Sequence, residues 1–314
     1  MDFTPNEDQT AFFAMLDRMI EAPEAGWAVA PDHARFAWSA TLDATLDANG
    51  FYDAANEETL GPVAAAELVR RLARLPVVVE CAASALLRSA LPADLPRPLA
   101  VLEEAAGEPV RFLPQARSVL RLGPGRAAIA RPAPGQVVTV DSLFAYPMGR
   151  FTERGPDWEP IDADPAALAD LWRIAIAAEM AGALDGALDS VVSHVRDRRQ
   201  FGRPLGSFQT IQHRLAEAAT RIEGARLLVL KAAEHRAPTE AAIALGYVQD
   251  IATRVIYDLH QFMGAMGLTL EHPLHRWTYR VRLLRSAFGG AARNFDMAAG
   301  LRWTASPSAA STSG

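Results

Sequence analysis

The sequence predicts a mainly α protein with a small β middle domain, and three observations carry that expectation. Helix-period apolar patterns dominate both ends of the 314-residue chain. Twelve of its 21 prolines fall between Pro92 and Pro165, at 92, 96, 98, 109, 114, 124, 132, 134, 147, 156, 160 and 165, which excludes long helices there. The same stretch holds short apolar runs bounded by Gly and Pro turns. We therefore expect an N-terminal helical domain over 1–91, a reduced antiparallel β domain over 92–163, a C-terminal four-helix bundle over 164–302, and a disordered Ser/Ala tail over 303–314 ending "TASPSAASTSG".

The first helix is announced by Thr4 and Glu7, spaced as a capping box, with Pro5 at the first helical position and Phe12, Phe13, Leu16, Met19 and Ile20 as the apolar face. It should run over about 5–21. Further helical patterns cover about 33–47, closed by Gly50, then 62–74 and 77–91. In the proline-rich stretch, "PVRFL", "RSVLRLG", "RAAIARP" and "QVVTVDSLF" read as strands of a small meander. After it, Asp164 caps and Pro165 opens the first of four long helices, expected at about 165–198, 207–235, 239–262 and 275–299.

Composition excludes several classes of function. A net charge of −6 and a pI near 5.7 give no global basic field for nucleic acid. No apolar run approaches the roughly 20 residues of a membrane helix, and the acidic start "MDFTPNEDQTAFF" is unlike a signal peptide, so a cytoplasmic protein is expected. The single cysteine, Cys81, cannot form an internal disulfide and reads as a small buried residue. No HExxH or comparable spacing points to a metal, and His194, His260, His272 and His275 have packing or surface roles as their plainest reading.

The informative stretch is "RDRRQFGRPLGSFQT", 196–210. Arg196, Arg198 and Arg199 lie where a helix ends before Gly202, so their charges complement the helix dipole. That explains basic residues in general, but neither Phe201 and Gln209 around a tight turn nor the polar loop "HQFMGAMG", 260–267. In that loop Gln261 precedes Gly264 and Gly267, where a ligand could approach backbone.

"RRQFGRPLGSFQTIQHRLAEAATRIEGAR" together with "DLHQFMGAMGLTLEHPLHRWTYRVR" resembles the C-terminal helical domain of the acyl-CoA dehydrogenase family over about 165–300. "MDFTPNEDQ" and "LGPVAAAELVRRLA" are similar to its N-terminal segments. The resemblance implies FAD as cofactor. In the family, the Arg of R-x-x-F-G contacts the FAD pyrophosphate of a neighbouring subunit, and the Phe and the later Gln line it; by motif position these are Arg198, Phe201 and Gln209. The Q-x-x-G-G-x-G loop maps onto Gln261, Gly264 and Gly267, with Ala265 in place of the middle glycine.

The catalytic carboxylate of the family finds no match. Members abstract the α proton of an acyl thioester with a Glu while the β hydride passes to flavin. Its usual Y-E-G-T segment corresponds to Phe288–Gly289–Gly290–Ala291, which puts Gly289 at the base position; the alternative site on the first long C-terminal helix falls on Trp172, before Arg173. Glu179 lies two turns further, about 10.5 Å along the axis, and is the substitute to examine. The T-E-P…G-S-D and W-I-T-N segments that face the flavin ring are also missing from 92–165. This pattern resembles the short subunit of heterotetrameric acyl-CoA dehydrogenases of bacterial steroid side-chain degradation. It implies no catalytic residue in this chain, FAD shared with a longer partner subunit that carries the Glu, acyl-CoA as substrate, and an electron-transfer flavoprotein as electron acceptor. The competing reading is a non-enzymatic scaffold or regulatory homo-oligomer of the same fold.

Overall fold

The computed structural model describes residues 3–21, 34–104 and 107–303. The expected Ser/Ala tail lies outside the described residues from 304 onward.

At the N-terminus, helix α1 spans Glu7–Glu21. Its capping box is Asn6 with Gln9, not Thr4 with Glu7: Asn6 Oδ1 accepts from Gln9 N at 2.8 Å, and Gln9 Oε1 from Asn6 N at 3.2 Å. The Asn6 and Gln9 amides also reach the Thr59 and Leu60 carbonyls, so a long-range anchor selects this pair. Helix α2 is Ala40–Ala48, capped by Ser39, and starts later than the expected 33. Trp38 is instead bridged to Val78 in extended conformation. Helix α3, Gly61–Ala73, matches expectation, but α4 is reduced to Ala82–Leu86. The buried Glu80 takes the amides of Ala83, Ser84 and Leu99 as well as the Ser84 hydroxyl, which fixes where α4 begins.

The β region is more elaborate than a meander. β1 (Leu99–Glu103), β3 (Ser118–Gly123), β4 (Arg126–Ala130) and β7 (Glu159–Pro160) form one sheet in the order β1-β3-β4-β7. A second sheet joins β2 (Val110–Arg111), β6 (Met148–Phe151) and β5 (Val137–Val140). Contrary to the antiparallel expectation, β1 and β3 are parallel, because the chain between them leaves to donate β2 to the other sheet.

Helix α5, Pro165–Asp197, is the axis of the molecule, with the Asp164 cap and Pro165 start in place. Every residue from 174 to 184 is buried, the signature of a helix covered on all sides. Gly182 and Gly186 make this possible: a Cβ at 182 would lie 2.0 Å from the Arg70 carbonyl oxygen, and at 186 2.3 Å from that of Arg74. The α3 backbone therefore crosses directly on α5. α6 (Gln209–His235) and α7 (Pro238–Met263) follow as expected. The fourth helix is broken into α8 (Leu274–Leu284) and α9 (Gly290–Trp303). Phe288, Gly289 and Gly290 take φ of 53°, 83° and 80°, which no α-helix tolerates. The buried Gln249 amide donates to the Leu284 and Ala287 carbonyls freed by the break, and Asn294 donates to Gln249.

Candidate functional site

The 196–210 stretch forms an open groove at one end of the bundle. α5 stops at Asp197, and Arg198 follows in extended conformation. Gly202 does not terminate the helix; it completes a two-residue hairpin, in which β8 (Arg199–Gln200) pairs with β9 (Arg203–Pro204). Positive φ at both Phe201 (54°) and Gly202 (78°) suits the twist of such a tight hairpin. The hairpin holds Phe201 outward, 87% exposed, against the edge of Phe208.

Beside it lies a cavity of about 820 Å³ whose wall includes Arg198, Gln200, Arg214, Gln261 and Gly264. Arg198, Gln261 and Gly264, three of the six expected residues, meet here. Among the described residues no side chain pairs with the Arg198 guanidinium. Gly264 ends α7 with φ 64°, and nothing lies within 4 Å of the position a Cβ would occupy, so its face is open. Phe201 and the exposed Gln209 stand outside this wall. Gly267 is buried, and its missing side chain serves packing: a Cβ would sit 2.8 Å from Met263 Cβ. No carboxylate lines the groove. His194, on its rim, has its pKa lowered by desolvation and then by Arg198, which favours the neutral ring.

A larger cavity of about 910 Å³ adjoins this groove across His194, Arg198 and Met266. It differs in charge, since Asp17, Glu21, Asp189 and Asp197 line it, and its Arg71 and Arg74 already pair with Asp17 and Asp189. The remaining histidines pack as expected: His260 meets Thr278 at 3.1 Å, and His275 meets the His272 carbonyl at 2.9 Å. Among the described residues no group of three or more His, Cys, Asp and Glu could hold a metal, and no helix is long and apolar enough to cross a membrane.

A second cluster, closed rather than open, surrounds the N-terminal half of α5. Glu179 is 3% exposed and is held by Arg111 Nη1 at 2.5 Å and the Tyr146 hydroxyl at 2.7 Å. Burial works most strongly against the Arg111 charge, but Glu179, Tyr146 and Glu103 together outweigh it and carry the arginine's pKa above its ordinary value. The guanidinium is lodged among the rings of Trp172 and Tyr146, at 4.9 and 5.2 Å. Trp172 donates its indole N–H to Glu103 Oε1 at 2.8 Å. Glu103 also receives the Phe288 amide, and burial raises its pKa, offset in part by the Trp172 bond. Glu179 thus has both oxygens engaged in structure. Sequence reasoning missed Glu103: it ends β1, and nothing in its local pattern announces that it meets residues 69 and 185 positions away.

Residues 167–298 match the family model described as acyl-CoA dehydrogenase, C-terminal domain. The chain carries an acyl-CoA dehydrogenase C-terminal domain. A segment of it is 36% identical over 122 residues to acyl-CoA dehydrogenase IpdE2 of Mycobacterium tuberculosis; the match covers 39% of this chain and only 38% of that protein's length. The whole chain has the acyl-CoA dehydrogenase fold. It superposes on a chain of the ChsE4-ChsE5 complex from M. tuberculosis with TM-score 0.77 and 20% identity, covering 98% of this chain and all of that one. A variant of the Tcur3481-Tcur3483 steroid ACAD gives TM-score 0.75 and 21% identity, covering 94% and 97%. At these identities the structural likeness speaks for the fold, and the domain match adds the family of the helical bundle.

Proposed function

We propose that this chain is the non-catalytic subunit of an FAD-dependent acyl-CoA dehydrogenase and lends a neighbour the pyrophosphate half of its flavin site. One contrast carries the reading: the groove at the end of α5 presents a cation with no side-chain partner among the described residues, whereas the cluster around Trp172, at the positions where the resemblance places the family's base, is filled and internally bonded. The groove fits the group, since Arg198 would hold a phosphate, Gln261 would donate to it or to the ribose, and Gly264 would let backbone approach. Bound FAD would supply the hydride acceptor for α,β-dehydrogenation of a CoA thioester. The carboxylate that removes the α proton would come from a longer partner subunit, and electrons would leave to an electron-transfer flavoprotein.

The names of the relatives support a hetero-oligomer and a steroid-type acyl-CoA: one structural neighbour is a two-protein complex and another is described as a steroid ACAD. On this reading the chain purified alone holds little or no FAD and turns over no acyl-CoA. Co-expressed with a longer acyl-CoA dehydrogenase subunit bearing the Glu, it forms a complex that retains flavin. Stoichiometric flavin in the isolated chain, with turnover of any acyl-CoA, would overturn the proposal.

A further inference from the structure

The groove contains a second cation that the sequence did not single out. Arg214, on the second turn of α6, lines the same wall as Arg198. Its guanidinium pairs with Asp258, which is only 2% exposed on α7, and Asp258 also lies 3.4 Å from Arg254 Nε. One carboxylate shared by two arginines leaves this trio with a net charge of +1. Arg198 adds another, so the groove carries about two positive charges with no carboxylate in its wall, in a chain whose net charge is −6. Arg214 Nε and Nη2 are both buried, and among the described residues neither makes a hydrogen bond, so Asp258 holds the guanidinium as an ion pair only. A buried N–H left this way costs free energy unless a ligand takes it.

We infer that Arg214, oriented by Asp258, is a second anion-binding residue of this groove, so that Arg198 and Arg214 each take one phosphate of a pyrophosphate. The inference rests on the flavin half-site reading and deepens it by assigning a residue to the second phosphate. Two ligands of the same chemistry carry that group, FAD and the CoA moiety of an acyl-CoA. The fixed position of Asp258 matters because an arginine held by a buried carboxylate loses less side-chain entropy on binding than a free one. Arg214 is therefore a pre-set contact, and exposed Arg198 is the mobile one.

The test is titration calorimetry of the full-length chain at millimolar inorganic pyrophosphate, FAD and CoA, each measured separately. Pyrophosphate and FAD are expected to bind weakly at these concentrations, too weakly for flavin to stay with the chain through purification alone. Arg214→Gln should weaken both by about tenfold or more, the scale of one charge-assisted hydrogen bond, and Arg214→Lys should recover part of the loss. Tighter binding of CoA than of FAD would assign the groove to the thioester and overturn the flavin reading while leaving Arg214 in its anion-binding role. Because the Gln variant could lose the Asp258 pair and unfold, the wild-type chain supplies a second readout. Its Arg214 Nε–H resonance, identified by its disappearance in Arg214→Lys, should shift on adding pyrophosphate. An unmoved resonance, or a folded Arg214→Gln that binds as tightly as wild type, would overturn the inference. If Arg198→Gln abolishes FAD binding and Arg214→Gln does not, the half-site stands and only the role of Arg214 falls. If the wild-type chain binds none of the three ligands, alone or with its partner subunit, the half-site reading itself fails.

Discussion

Two arginine clusters, one around the N-terminal half of α5 and one at its C-terminal end, show how environment decides what a cation is for. Arg111 is buried, paired with Glu179 and wrapped by Trp172 and Tyr146, so its charge is consumed in joining the second sheet to the helix. Arg198 pairs with no side chain among the described residues and lines a groove whose wall holds no carboxylate, and Arg214 beside it shares Asp258 with Arg254. The first cluster closes the region around Trp172. The second keeps charge available to a ligand. A buried pair is costly to break and adds little when intact, whereas an exposed cation adds almost nothing to stability and is free to bind.

The contrast can be tested at its most stable point first. Arg111→Leu strands the buried Glu179 carboxylate and should destabilise the fold by about 3–5 kcal/mol, visible as a lower denaturant midpoint. Adding Glu179→Leu should recover much of that loss. If the single variant unfolds like wild type, the cluster is not the closed structural unit described above.

Arg198→Ala should leave the melting temperature unchanged but weaken flavin retention in the assembled complex by about 1.5–3 kcal/mol, read as flavin lost on dilution. Unchanged flavin occupancy would return Arg198 to the simple role of a charge near a helix end. Gly267→Ala sharpens the comparison within the groove loop. It forces Met263 to shift and should cost about 1–3 kcal/mol of stability, the range of core overpacking, measured by thermal melting. Gly264→Ala meets open space, but its φ of 64° and ψ of −146° lie in a region essentially reserved for glycine, so a comparable cost of about 1–3 kcal/mol is expected from backbone strain alone.

The smallest effect concerns Glu103. Its pKa is raised in the folded state, chiefly by burial, so the native chain binds more protons than the unfolded one at pH values just above the ordinary carboxylate range. Stability should therefore fall as pH rises through that window. Glu103→Gln should flatten this part of the melting-temperature profile between about pH 4 and 7. An identical slope in the variant would mean that the Trp172 and Phe288 contacts leave its protonation unperturbed.

Much of the site was legible because it is written in local patterns. Gly264 ends α7 as its position in the loop suggests, and Arg198 leaves α5 near it, whereas Gly202 turns a hairpin instead of ending the helix as the sequence suggested. Arg214 was not legible, because its part depends on Asp258, 44 positions later on another helix. Glu179 invited a catalytic reading from its helical spacing to Trp172, and only the arrival of Arg111 from β2 and Tyr146 from the loop before β6 shows it to be satisfied.

The same division runs through the fold. Sequence alone determined the long helices α5, α6 and α7, since apolar periodicity, the Asp164–Pro165 start of α5 and the glycine that ends α7 act within a few residues of one another. It also determined that 92–165 could hold only short strands, because proline removes the donors and dihedrals a helix requires. Tertiary structure decided the rest. The parallel pairing of β1 with β3, the shortening of α4 around Glu80 and the choice of Asn6 as the first cap each follow from a partner far along the chain. The break between α8 and α9 is sealed by Gln249, whose amide takes the carbonyls that a continuous helix would have bonded for itself. Local propensity sets which elements can form; the placement of a few buried polar groups sets where they stop, because each such group must find its partner before water is excluded.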